Sequence, residues 1–159
     1  MTTVSKAVEA APQVLLDDLH RLAQMAPPVP GELLLIGRRH VRSNNSWMHN
    51  FHRLVKGKPR HQLLMHPHDL QQRQLQDGQR VRIRSRTGSL EVEVQACEDM
   101  MPGVVSLPHG YGHGRHGVHL QIAQAQPGVS ANDLTDERFR DQVSGNAALN
   151  GVPVQVEAA

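Results

Sequence analysis

Two stretches of this chain concentrate the residues whose types could do chemistry. Between Glu32 and Asp69 there is no acidic residue, while Arg38, Arg39, Arg42, Arg53, Lys56, Lys58 and Arg60 stand among His40, His49, His52, His61, His66 and His68. A segment of one sign in which arginine outnumbers lysine suits a ligand with several anionic oxygens, because a planar guanidinium meets phosphate with parallel N–H donors. The same composition describes a solvated basic loop. The second stretch, HGYGHGRHGVH from His109 to His119, places His113, His116 and His119 at a spacing of three, which invites a metal reading. Zinc needs about four ligands in fixed geometry. Gly110, Gly112, Gly114 and Gly117 deny these histidines a rigid element, and no cysteine or carboxylate accompanies them. No metal site is expected there; a glycine-rich loop after a strand instead lets backbone N–H groups approach a ligand's oxygens.

The elements that must position these stretches read as mostly β. Leu33 to Ile36 is a buried strand ending at Gly37, and His61 to Met65 is a second short apolar run leading into a helical turn from Pro67 through Arg73. The clearest pattern is DGQRVRIRSRTGSLEVEV, residues 77–94, in which Val81 and Ile83 alternate with arginines, and Leu90, Val92 and Val94 alternate with Glu91 and Glu93. That is a hairpin turning at Thr87-Gly88, with cross-strand Arg–Glu pairs on its outer face. Val104 to Leu107 and Val152 to Val156 read as further strands, with a helical stretch around Glu137 to Val143 between them. Before the β pattern begins, Pro12 to Met25 has helical spacing, and a proline-rich linker stops it. Residues 1–30 are therefore expected to be a helix and linker, and residues 31–159 a single folded unit.

Composition removes several classes. The length of 159 residues suits one domain, and with only Trp47, Phe51, Tyr111 and Phe139 as aromatics the core must be aliphatic. So few rings disfavour a single-strand nucleic-acid platform. One cysteine, Cys97, rules out an intrachain disulfide framework or an iron–sulfur cluster held by this chain alone. No apolar run approaches a membrane span, and the opening residues lack the pattern of a signal peptide. A cytoplasmic location is the resulting expectation.

Four blocks taken in order carry a resemblance: LLLIGRRHVRSNNSWMHN, MHPHDLQQRQLQDGQRVRIRSRTGSLEVEV, MMPGVVSLPHGYGHG and NDLTDERFRDQVSGNAALNGVPVQV. Together, over about residues 32–157, they resemble the C-terminal molybdopterin-dinucleotide-binding domain of the molybdopterin oxidoreductases, the superfamily of formate dehydrogenase, nitrate reductase and dimethyl sulfoxide reductase. The resemblance implies a six-stranded double-psi β-barrel of the aspartate-decarboxylase-like fold. It also implies that the barrel closes over a bis(molybdopterin guanine dinucleotide) cofactor of molybdenum or tungsten, shared with other domains and not held tightly by the isolated chain.

At residue level, the resemblance implies that Arg38, Arg39, His40, Arg42, Asn44, Asn45 and Ser46 form the loop touching the pterin and pyrophosphate. His109, Gly110, Tyr111, Gly112 and His113 match the family's HG-aromatic-G loop. Asn132 and Asp133 match the motif before the last helix, and Gly145 and Asn146 the turn after it. The family's metal ligand and its frequent iron–sulfur cluster lie in earlier domains, and Cys97 stands in no ligand context. The chain is thus expected to serve as an excised C-terminal domain or a small subunit, completing a catalytic partner and turning over no substrate alone. Two other classes compete with this reading. The pI near 9.1 suggests a basic nucleic-acid-binding barrel. A self-cleaving decarboxylase of the same fold would use Gly88-Ser89, which the hairpin pattern makes an ordinary turn.

Overall fold

The computed structural model describes residues 4, 6–27 and 29–159. Six strands form a closed barrel: β1 (Leu33–Arg38), β2 (Leu63–Met65), β3 (Arg80–Arg84), β4 (Ser89–Ala96), β5 (Val104–Pro108) and β6 (Val152–Ala158), ordered β1-β5-β2-β4-β3-β6. Among the described residues four short helices accompany them: α1 (Gln13–Ala23), α2 (His52–Val55), α3 (Pro67–Gln72) and α4 (Gln121–Gln124), with a 3-10 turn at Ala131–Leu134. This is the double-psi barrel that the sequence blocks imply.

Its core follows from the period of two. Leu33 and Leu35, Leu63 and Met65, Val81 and Ile83, Leu90, Val92 and Val94, Val105 and Leu107, and Val152, Val154 and Val156 all point inward and are buried. No Phe, Trp or Tyr is among the buried residues described, so the interior is aliphatic as composition requires. Each buried Leu or Val contributes roughly 1.5–3 kcal/mol.

The pairing pattern determines where the loops emerge. β1 runs parallel to β5, and β2 parallel to β4, whereas every other neighbouring pair is antiparallel. Exchanging β1 with β4, β2 with β5 and β3 with β6 reproduces the same circular order and the same pair types, so the barrel has an internal two-fold pseudo-symmetry. β1 and β5 end in register, Arg38 opposite Pro108, and release residues 39–62 and 109–151 side by side. The antiparallel partners β2 and β4 run the other way, so residues 66–79 and 97–103 leave from the opposite end.

The hairpin forms as expected: Arg82 opposes Glu91 with a 2.8 Å ion pair, although Arg84 pairs instead with Glu157 of β6. β1 runs past the expected stop at Gly37, because its pairing with β5 continues through Leu107 and Pro108. The helix expected around Glu137 to Val143 does not form. Asp141 accepts from the N–H groups of Val143 and Ser144, and an isolated bridge joins Arg140 to Ala147; local side-chain bonding outcompetes the helix, as it often does for Asp. α1 forms but buries none of its residues, its Leu15, Leu19 and Leu22 standing about half exposed. Among the described residues no helix is long and apolar enough to cross a membrane.

Candidate functional site

The in-register exit of β1 and β5 is closed by the His109 N–H donating to the Arg38 carbonyl at 3.0 Å. Just behind it, the Asn150 side chain accepts from the Gly37 N–H at 2.7 Å, tying in the segment that leads to β6. Glycine is required where the loops touch. A Cβ at Gly37 would fall within the His109 imidazole, and one at Gly110, whose φ is +88°, would strike the Asn45 carbonyl. Asn44 and Asn45 adopt the left-handed region themselves, at φ of 41° and 61°, which asparagine tolerates better than other non-glycine residues. This turn, with Asn45 Oδ1 accepting from Arg39 Nη1 at 3.2 Å, carries the segment back across the barrel mouth.

Between these segments lies a cavity of about 420 Å³ lined by Arg39, Asn45, Ser46, His109, Gly110, Tyr111, Ser130, Ala131, Asn132 and Leu149. Its walls are polar and include no carboxylate. Three of the segments singled out in the sequence thus converge on it: the loop after β1, the loop after β5 and the Asn132 turn. Ser130, Ala131 and Leu149 were not foreseen, since a single serine or leucine between motifs carries no sequence signal of its own.

Other expected residues lie elsewhere. The Arg38 guanidinium is half-buried and donates to the carbonyls of Ser106 and Gln62, each at 2.5 Å, and of Arg60 at 3.3 Å. It ties strands and loops together, and burial pushes its pKa down to about 10, still charged at neutral pH. His40 does not line the cavity; its Nε2 is buried without a protein partner. Arg42 sits with Ser43, His49 and Arg60 around a much smaller cavity. Asn44 is exposed, its carbonyl accepting from the Trp47 N–H. Gly112 packs on Ser130 and donates to the Pro127 carbonyl, which folds the loop back but leaves it outside the lining. His113 turns away to meet His49, with Nε2 2.8 Å from His49 Nδ1. Asp133 is paired with Arg115. Gly145 and Asn146 belong to the turn around Asp141 and are not brought to the cavity.

Burial also lowers the pKa of His40, His49, His109 and His113, so these rings are neutral near pH 7. His61, whose Nε2 accepts from the Val129 N–H at 3.0 Å, is pushed down to about 4 by burial. Tyr111, with His49 and His61 against its ring at centroid distances of 4.3 and 4.5 Å, is pushed up by burial. Among the described residues no group of three or more His, Cys, Asp or Glu is placed to hold a metal ion.

Residues 33–153 match the family described as the molydopterin dinucleotide binding domain. The chain belongs to that family. It is 30% identical over 122 residues to a tetrathionate reductase polypeptide of Salmonella typhimurium, covering 66% of this chain and 12% of that protein. Against ArrA, the molybdopterin-containing polypeptide of the arsenate respiratory reductase of a Shewanella species, it is 32% identical over 123 residues, 72% of this chain and 14% of the relative. Dimethyl sulfoxide reductase DmsA of Escherichia coli is 30% identical over 104 residues, 65% of this chain and 12% of that protein. In fold, it superposes on acetylene hydratase from Pelobacter acetylenicus with a TM-score of 0.68 at 16% identity, over 93% of this chain and 20% of the other. The chain therefore spans roughly an eighth of the length of the curated relatives it matches.

Proposed function

We propose that this molybdopterin-dinucleotide-binding domain receives the phosphate and pterin portions of a bis(molybdopterin guanine dinucleotide) cofactor at the β1/β5 end of its barrel. It does so as the C-terminal domain or a small subunit of a molybdopterin oxidoreductase. One observation carries the reading: the loop after β1, the loop after β5 and the Asn132 turn converge on a single polar cavity without a carboxylate. The donor set fits such a group. Arg39 offers a guanidinium to phosphate oxygens, Asn45 and Asn132 offer amides that both donate and accept, and Gly110 leaves room for close backbone approach. His109, held against Gly37, is neutral near pH 7 and has one N–H to give and one nitrogen to receive.

When bound, the cofactor supplies the metal-centred redox chemistry. The chain's own residues bind and orient it, and they supply no metal ligand there. Cys97, its single thiol, follows β4 at the opposite end of the barrel. Substrate turnover accordingly falls to the other domains or to a larger partner.

The test is cofactor content in the enzyme that contains this chain. Asn45→Ala and His109→Ala each leave a ligand group unpaired, at about 1–3 kcal/mol, or roughly a five- to a hundredfold loss of affinity. Pterin and metal per folded protein should fall in both, whereas Glu98→Ala at the opposite end should load fully. Full loading of both loop variants would overturn the site. Salt-dependent duplex binding by the wild-type chain would favour the nucleic-acid reading instead.

A further inference from the structure

The segment 41–51 is inverted in its burial. Ser43 and His49 are buried, His49 to 4% exposure, while Val41, Trp47 and Phe51 stand 100%, 78% and 57% exposed. Hydrophobicity does not explain why a histidine is inside and a tryptophan outside; the contacts of the histidine do. His49 inserts between two residues of the loop after β5. Its ring lies 4.3 Å from that of Tyr111 and meets that of His113 edge-on at 90°, with Nδ1 and Nε2 2.8 Å apart. The Asn45–Ser46 wall of the cavity thus hangs on a residue three positions along the same segment, and the His109–Tyr111 wall on a residue two positions along its own.

We propose that His49 and His113 are positioning residues that share one proton across this contact, latching the two walls of the cofactor cavity together and releasing them when both rings are protonated. A nitrogen pair at this distance is satisfied by a single hydrogen, given by either ring. Once both rings are protonated, each of the two nitrogens carries a hydrogen and the contact becomes a repulsion between cations. The surroundings make that second proton costly. The charged or titratable groups around the pair are Tyr111, His40, His61, Arg42 and Arg60, with Arg38 near His40, His61 and Tyr111. None is a carboxylate. Burial and the neighbouring imidazole both hold His49 below the usual histidine range, and burial does the same for His113. The second nitrogen of His49, Nε2, is buried with no protein hydrogen-bond partner, and the nearby Gly110 backbone, which favours a proton on the ring, does not offset burial and His113.

The latch matters to function only if the cavity holds the cofactor, so that part rests on the function proposed above; the latch itself is measured without ligand. On the full chain, imidazole nitrogen shifts and amide exchange are followed by NMR from about pH 7.5 to about pH 4.5, bracketing the ordinary histidine range. His49 and His113 should titrate as a coupled pair in two steps, below the ordinary histidine range. With the second step, exchange protection at Met48 and Gly112 should fall at least tenfold, after correction for intrinsic rates, while Val94 in β4 keeps its protection. His113→Gln should abolish that pH-dependent loss, because its amide oxygen accepts from His49 in either protonation state. Independent single-step titrations at the ordinary value, or the same tenfold loss in His113→Gln, would overturn the latch. Should that variant not fold, the wild-type titration decides alone. Unaltered cofactor loading in Asn45→Ala and His109→Ala, with the coupled titration intact, would refute the cavity's function and leave the latch standing.

Discussion

At one end of the barrel the parallel pair β1/β5 releases residues 39–62 and 109–151; at the other, β2/β4 releases residues 66–79 and 97–103. The two exits are related by the pseudo-two-fold of the strand order, so the backbone offers each the same opportunity. The first is spanned by a connection with six Arg or Lys and no acidic residue, and the second by a short turn carrying Glu98 and Asp99 and no basic one. Asp69 there spends a carboxylate oxygen on the Gly103 N–H at 2.7 Å, and Gly103 in turn accepts from Leu34. Both exits are pinned by hydrogen bonds, and the β1/β5 end also surrounds a polar cavity. Under the function proposed above, the difference lies in what is hung on one of two equivalent exits, since both have the same frame.

Glycine substitution should sharpen the contrast most. Gly110 and Gly103 both have positive φ, +88° and +83°, but a Cβ at Gly110 would strike the Asn45 backbone whereas nothing lies within 4 Å at Gly103. Gly110→Ala should cost about 2–4 kcal/mol in denaturant unfolding, from dihedral strain plus displaced backbone. Gly103→Ala should cost only ~1–2 kcal/mol, from strain alone. Equal costs would mean that the loops at the cavity end are not in fixed contact.

The next effect is pH dependence. His61, at the cavity end, is pushed down to about 4, against about 6.5 for the unfolded chain. The unfolded state therefore takes up a proton that the native state refuses. This group leaves stability level above about pH 6.5 and removes it as pH falls toward 4, by about 2 kcal/mol once partial exposure is allowed for. Unfolding midpoints of wild type and His61→Gln measured at about pH 7 and about pH 4.5 should show the steeper acid loss in wild type. Parallel profiles would break the assignment. The smallest effect is expected on the outer hairpin face, where Arg82 and Glu91 are each 39% exposed. Arg82→Ala should leave both the melting midpoint and cofactor loading unchanged, because water screens the pair.

The strands were legible because their signal is local. Alternation at Val81, Ile83, Leu90, Val92 and Val94 encodes both the hairpin and its inward face, and short aliphatic runs mark β1, β2 and β5. The motifs around Asn45, His109 and Asn132 likewise placed three walls of the cavity. The cavity's remaining features depend on contacts between residues far apart in sequence. Arg38 looked like a phosphate ligand, yet its guanidinium meets the Ser106 and Gln62 carbonyls, partners that only the closed barrel brings near. His113 reads as a cofactor contact, and in the fold its ring meets His49, 64 positions away. The expected helix after Asp136 failed for a local reason, since the Asp141 carboxylate caps the wrong N–H groups for helix propagation.

β6 is antiparallel to β1, with Leu33 opposite Val154, so the chain enters the first strand and leaves the last at the same end of the barrel, away from the cavity. In architectural terms the domain is a cassette with both leads on its back. It can be spliced between or beside other modules by altering only those leads, and no host segment has to be threaded past the mouth. Transplantation of residues 32–158 into a different host protein should then disturb the fold of neither partner, and the mouth stays turned outward toward whatever the host sets across it.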